Sequence, residues 1–268
     1  MIDGLTPVVR DLGDGHPILV VHGGMSDESP WLRVADTMLT RYRVVLIRRR
    51  LYRLDLPVRV EHTMWDQVAE VLSVARGLGE PCVIVGHSSG AIVALEALAA
   101  DPGPFAGGVL YEPPTPLPDF PLGEETTVLR ACSALAAGRI GRALQIFLHE
   151  GVEVSPWVSA VAPAMTLLPE VRRFVARQID DFESIIDLGV RSQTYAGISR
   201  PVWFLTGEKS PAHLQQRCER LAVTLPQADL VRLPGVGHGA NQSNPRQLAE
   251  LICDLVKSLL DEREAPGE

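Results

Sequence analysis

Cysteine is scarce in this chain. The four copies, Cys82, Cys132, Cys218 and Cys253, are scattered over 268 residues without metal-ligand spacing. That excludes a disulfide framework and a cysteine zinc site, and it reads as reduced thiols in a cytoplasmic protein. Positive charge is also short: Lys and Arg total 25 against 33 Asp and Glu, a net charge of −8. Without a basic excess to neutralise phosphates, nucleic acid is not an expected partner. No uninterrupted apolar run is long enough to span a bilayer. The opening residues, Met1-Ile2-Asp3-Gly4-Leu5-Thr6-Pro7, lack the basic region and apolar run of a signal peptide. No membrane partner is therefore expected. Neither a nucleotide-phosphate motif nor a cluster of metal-binding side chains is visible, so no cofactor and no metal are expected.

What is present is enough apolar material for a large core. Hydrophobic residues make up 46% of the chain. The length fits one large domain, or one domain carrying an insertion. Short apolar runs alternate with helical periodicity. Strands are predicted at residues 8–12, 17–21 and 43–47, at 82–85 ahead of a glycine-rich turn, and at 107–111. Helices are predicted from Ser29-Pro30-Trp31 to about residue 39, over 63–78, and over 91–100. The alternation stops after Glu112-Pro113-Pro114. A proline-rich stretch follows, then four helical patterns at 127–137, 139–149, 158–168 and 170–186. Alternation resumes with a strand at 201–206, a helix at 212–225, a strand at 229–233 and a closing helix at 245–260. The expected fold class is α/β: a mostly parallel sheet covered by helices on both faces. Residues 1–114 and 198–268 would form the core domain, and 115–197 an inserted helical cap. The apolar face of the closing helix reads as core, which leaves monomer and homodimer both open. The last residues, ending Glu264-Ala265-Pro266-Gly267-Glu268, read as disordered.

The informative motif is Gly86-His87-Ser88-Ser89-Gly90 between a buried strand and a strong helix former. That context is a nucleophile elbow: a sharp turn exposes the Ser88 hydroxyl at the helix N-terminus. Gly86 and Gly90 let the strand and helix backbones approach. A serine needs a base to take its proton. His238, in the glycine-rich loop 234–239 after the last strand, is the candidate. His87 sits inside the elbow, where it packs, shapes the turn or touches substrate. His22-Gly23-Gly24-Met25 follows another strand end. Two backbone N–H groups, of Ser89 and of Gly24 (with Met25 as the neighbouring alternative), would stabilise an oxyanion.

Together His22-Gly23-Gly24, Gly86-His87-Ser88-Ser89-Gly90 and Gly237-His238 resemble the α/β-hydrolase-fold superfamily over almost the full length. Many members of that superfamily place a triad aspartate shortly after the strand that here ends at Thr206. Here Gly207-Glu208-Lys209-Ser210 puts serine in that place. The resemblance therefore implies an acid one strand earlier, at Glu112, as in haloalkane dehalogenases and zearalenone-type lactonases; Glu208 is the second candidate. Tyr111-Glu112-Pro113-Pro114, Gly86 to Ala91 and Gly207 to Pro211 resemble one sub-group of serine hydrolases in particular. That sub-group carries a glycine-rich arginine loop where this chain has Arg48-Arg49-Arg50-Leu51-Tyr52-Arg53. The arginines could bind an acidic substrate group, but such a run more often reads as a solvated or surface-paired loop.

The implied activity is hydrolysis of a small-molecule ester or lactone through an acyl-enzyme on Ser88. Carbon–carbon or thioester hydrolysis would use the same groups. A non-hydrolytic binder, cyclase or lyase on the same fold is the competing class. Trp157, Val158, Met165, Leu167, Leu168 and Phe174 are the candidate cap residues for a substrate pocket.

Overall fold

The computed structural model describes residues 6–58 and 63–264. The expectations for the first residues, for His62 and for the C-terminal tail beyond Glu264 lie outside the described residues.

The chain begins with β1 (Val8–Leu12) and β2 (Pro17–Val21), then a 3-10 turn at Ser29–Trp31 and α1 (Leu32–Met38). Next come β3 (Arg43–Arg48), a 3-10 turn at Arg50–Tyr52, α2 (Met64–Gly77), β4 (Cys82–His87), α3 (Ser89–Ala100) and β5 (Phe105–Tyr111). The following segment is helical: α4 (Glu125–Ala136), α5 (Ile140–Ile146) running into a π turn at Phe147–Gly151, α6 (Pro156–Ala160), α7 (Ala162–Met165), α8 (Pro169–Leu188) and α9 (Ser192–Tyr195). Strands and helices alternate again with β6 (Val202–Gly207), α10 (Ala212–Thr224), β7 (Ala228–Leu233), α11 (Ala240–Ser243) and α12 (Pro245–Glu264).

The seven strands form one sheet in the order β1-β3-β2-β4-β5-β6-β7. β1 runs antiparallel to β3, and every other pairing is parallel. The buried central strands explain this arrangement. Every residue of β2, β4 and β5 is buried, as two-sided coverage demands. α1 and α12 pack on one face, with Leu248, Ile252, Val256 and Leu259 of α12 buried in that core. α2, α3 and α10 cover the other face. α2 starts where the sequence places a cap: the Thr63 N–H donates to Asp66 at 2.8 Å, and the Asp66 N–H donates back to the Thr63 hydroxyl.

Two local expectations change. The predicted helix over 158–168 is split into α6 and α7 at Val161, two residues before Pro163, whose ring cannot follow an uninterrupted helix interior. α9 is too short to carry a periodic signal. Among the described residues no helix is long and apolar enough to cross a membrane.

The strand order reverses between β2 and β4. From β2 the chain leaves toward β3, and from β4 it leaves toward β5. Loops diverge at such a point and open a crevice beyond the strand ends. Two histidines are buried beneath it. His22 donates from Nδ1 to the Gly23 carbonyl at 2.7 Å and accepts the Arg49 N–H at Nε2, 3.1 Å away. His87 donates from Nε2 to the His238 carbonyl at 3.0 Å. Burial, with the nearby Arg49 charge, pushes His22 down to about 4. Burial, with the charge of His238, pushes His87 well below its usual range.

Two predictions follow from this packing. A Cβ at Gly90 would lie 2.2 Å from the His22 carbonyl oxygen and 2.5 Å from that of Val21. Gly90→Ala should therefore cost about 3 kcal/mol in urea denaturation; an unchanged midpoint would show that the loop retreats freely. Histidines held neutral by the fold stabilise it fully above about pH 6.5, where the unfolded chain is also neutral. As pH falls the unfolded chain takes up protons first, so stability declines toward pH 4. With His22 at about 4, that residue alone should remove about 2 kcal/mol between pH 7.5 and pH 5. Urea midpoints across that range check the decline; a flat profile would contradict the neutral assignment.

Candidate active site

Ser88 follows β4 directly and has φ 53° and ψ −130°. A non-glycine residue there is strained. The strain is held by its neighbours: the Ser88 N–H donates to the Tyr111 carbonyl at 2.9 Å, and its own carbonyl accepts the Ala91 N–H at 2.8 Å. The glycines beside it are sterically required. A Cβ at Gly86 would sit 2.6 Å from the Ala91 Cα. Ser89 is the first residue of α3, so its N–H is among those that helix geometry leaves without an intrahelical partner.

Glu112 lies one residue beyond β5, fully buried and with φ 49°. Its Oε1 accepts from the Thr206 hydroxyl at 2.9 Å and from the Gly207 N–H at 2.7 Å. Its Oε2 lies 2.6 Å from His238 Nδ1. Burial pushes the carboxyl up, but the His238 contact, with Ser210 and the Gly207 N–H, outweighs it and holds the group below its ordinary value. The ionised carboxylate thus orients the imidazole. Its pull keeps the proton on Nδ1 and leaves Nε2 for other chemistry. The wall behind His238 is aromatic: the His87 ring is 4.8 Å away, and His87 stacks on Tyr111 at 5.1 Å. The Tyr111 hydroxyl donates to the Gly237 carbonyl and so fixes the loop that carries His238.

Ser88, Ser89, Gly24, Met25 and His238 line one cavity of about 210 Å³. Met25 has φ 56°, a second strained residue in the loop after β2. The remaining walls are largely apolar: Leu122, Phe147 and Leu148 from the segment after β5, Phe182 and Ile185 from α8, and Leu214 from α10. Two polar side chains join them, Gln178 and His213. A Cβ at Gly24 would fall 2.0 Å from Gln178 Oε1, so a larger residue there would have to displace that amide.

Several expectations need correction. Trp157 is 86% exposed and Met165 is also exposed; neither lines the cavity. Val158, Leu167 and Leu168 are exposed as well. α6 and α7 turn small residues, Ser159 and Ala162, inward and leave their larger apolar side chains outside. Phe174 is buried against Leu51 and Tyr52 instead. His87 does not line the cavity; it supports His238 from below. Glu208 is exposed and accepts the Gly235 N–H at 2.7 Å, a turn contact away from His238. The arginine run is not a solvated loop. Arg49 and Arg50 are buried, Arg49 on Asp181 and Arg50 on Glu70, and Arg48 pairs with Glu28. The signal for this lay in the polar residues Gln67, Gln178 and Asp181 on otherwise apolar helix faces.

The sequence reading assigned no role in the site to Thr206, Gln178 or His213. Both ring nitrogens of His213 are buried. Burial, with the charge of Arg217, pushes its pKa down. Among the described residues no group of three or more His, Cys, Asp or Glu is placed to hold a metal.

Known proteins share this architecture. An alpha/beta hydrolase from Sphaerobacter thermophilus superposes with a TM-score of 0.78 at 25% identity, covering 92% of this chain and 95% of its own. An esterase from Exiguobacterium antarcticum superposes with a TM-score of 0.74 at 17% identity, covering 94% and 95%. Est816, described as an N-acyl homoserine lactone degrading enzyme, gives 0.69 at 20% identity over 93% and 96%. No curated protein matches the sequence significantly. The alpha/beta hydrolase family matches residues 18–251, most of the chain. The chain belongs to the alpha/beta hydrolase family.

Proposed function

We propose that the protein is a serine hydrolase that cleaves a carboxylic ester or lactone of a small organic molecule. The observation that carries this reading is the 2.6 Å contact between His238 Nδ1 and the buried Glu112 carboxylate, with Ser88 on the wall of the same cavity. With its Nδ1 proton engaged by Glu112, His238 takes the Ser88 proton at Nε2 as Oγ attacks the substrate carbonyl. The carbonyl oxygen becomes an oxyanion, held by the N–H groups of Ser89 and Gly24. His238 then returns the proton to the departing alkoxide oxygen as the carbon–oxygen bond breaks, leaving an acyl group on Ser88. Water, activated by the same imidazole, releases the acid and restores Ser88. In a lactone the alkoxide stays tethered to the acyl chain.

The cavity supports a small, largely apolar substrate. Its volume of about 210 Å³ is below the roughly 300–1,000 Å³ of drug-sized sites. The helical segment between β5 and β6 supplies much of its wall, and acts as the cap that selects the substrate. The similar esterases and the lactone-degrading enzyme support ester and lactone chemistry by fold alone. The strained Ser88 backbone favours catalysis over simple binding, which requires no such geometry.

Short p-nitrophenyl esters and a panel of small lactones test the reading. Ser88→Ala should abolish turnover. Glu112→Gln should lower kcat by about 10⁴-fold, because the imidazole loses its tautomer lock. Glu208→Gln should remain near the wild-type rate. A dead Glu208→Gln with an active Glu112→Gln would reverse the assignment of the acid. Turnover of thioesters or vinylogous diketones, with esters and lactones untouched, would move the activity to thioester or carbon–carbon hydrolysis. Ligand binding that survives Ser88→Ala without any turnover would identify a binder.

A further inference from the structure

We propose that Arg49 is a positioning residue that sets the geometry of the oxyanion hole and ties it to helix α8. The inference rests on the serine-hydrolase reading above. Arg49 begins the loop after β3, and its side chain is 1% exposed. Nothing in an ester-hydrolysis mechanism requires a buried guanidinium, so its contacts have to explain its position.

Those contacts join both halves of the oxyanion site. Nη1 donates to the Ser89 hydroxyl at 2.7 Å and reaches the His22 carbonyl at 3.5 Å. The Arg49 backbone N–H donates to His22 Nε2 at 3.1 Å. One residue thus grips the loop carrying Gly24 twice and the residue after the nucleophile once. The neutral state of His22 belongs to the same arrangement, since only an unprotonated Nε2 can accept the Arg49 N–H. Nε is fixed separately by Gln67 Oε1 at 2.9 Å.

The remaining donors point to the helical segment. Asp181 of α8, also fully buried, takes Nη2 at 2.5 Å and Nη1 at 3.1 Å. Tyr52 extends the link: its hydroxyl lies 2.9 Å from Asp181 Oδ2 and 3.0 Å from Gln178 Oε1. Gln178 in turn sits over Gly24 on the cavity wall. The chain of contacts therefore runs from Ser89 through Arg49, Asp181 and Tyr52 to Gln178, and returns to the loop after β2. A planar guanidinium with donors in a fixed fork can hold several acceptors in one geometry, which a lysine cannot. A buried ion pair adds little net stability against apolar replacements. What it adds here is orientation: a small displacement of an oxyanion donor weakens transition-state binding while leaving ground-state binding intact.

The test reads Ser88 reactivity directly. An alkyl fluorophosphonate forms an oxygen–phosphorus bond to Ser88 Oγ with loss of fluoride, and intact mass follows its rate. Binding of a short-chain carboxylate, a product analogue, is measured in parallel. Three variants are compared with wild type: Ser89→Ala, which removes only the hydroxyl; the paired replacement Arg49→Met with Asp181→Leu, which leaves no orphan charge; and all three changes together. Each should lower the phosphonylation rate about tenfold or more, with carboxylate affinity within about threefold. The combined variant should be no slower than the slower of the other two, because all act through one contact. A folded paired variant that reacts at the wild-type rate overturns the inference. If that protein does not fold, Ser89→Ala decides alone: a wild-type rate overturns it, and a tenfold loss with unchanged carboxylate affinity supports it. Multiplying effects in the combined variant would also overturn it. A wild-type protein inert to the probe at Ser88 would instead overturn the hydrolase reading, and this inference with it.

Discussion

Parallel pairing of β4 with β2 on one side and β5 on the other is the constraint on which the rest depends. It brings three strand ends to one edge of the sheet, and each end leads into a residue of the candidate site. The register sets Val21 against Gly86 and His87 against Tyr111. Consequently Gly24, Ser88 and Glu112 emerge within reach of one crevice. His238 arrives from beyond β7 and is drawn in by Glu112. The helices are secondary to this: they bury the two faces of the sheet and leave its carboxyl edge as the place where polar groups can work.

Three residues in this region hold positive φ without being glycine: Met25, Ser88 and Glu112. Each lies in a loop that follows a strand. Such strain persists only when surrounding contacts overdetermine it. Here they do so through the hydrogen bond from Ser88 to Tyr111, and through the threonine and glycine donors on Glu112. The rigid sheet thus sustains local conformations that an isolated peptide would abandon.

Much of this was legible in the sequence. The buried strands were readable because coverage on both faces makes them continuously apolar. The elbow was readable because glycine spacing reports backbone approach. The helical segment was readable at the level of its longer helices, such as α8, whose period is clear. What could not be read was orientation. Trp157 and Met165 carry the same chemical signal whether they face a cavity or solvent, and α6 is too short for periodicity to choose. The arginine run failed for a different reason. Charge in a loop ordinarily means water, and the partner that buries Arg49, Asp181, lies 132 positions along the chain. Local pattern can flag a polar residue on a buried helix face, but it does not say which residue that far away pairs with it.

The Arg49–Asp181 pair has a consequence for the modularity of the protein. A helical segment that links two neighbouring parallel strands would ordinarily be exchangeable, since the sheet pairing does not depend on its sequence. Here the helices between β5 and β6 hold one half of a desolvated ion pair whose other half lies in the loop after β3. Substituting a foreign segment would leave a buried guanidinium beside the nucleophile without its carboxylate. A replacement of the helical segment therefore has to change the loop after β3 with it.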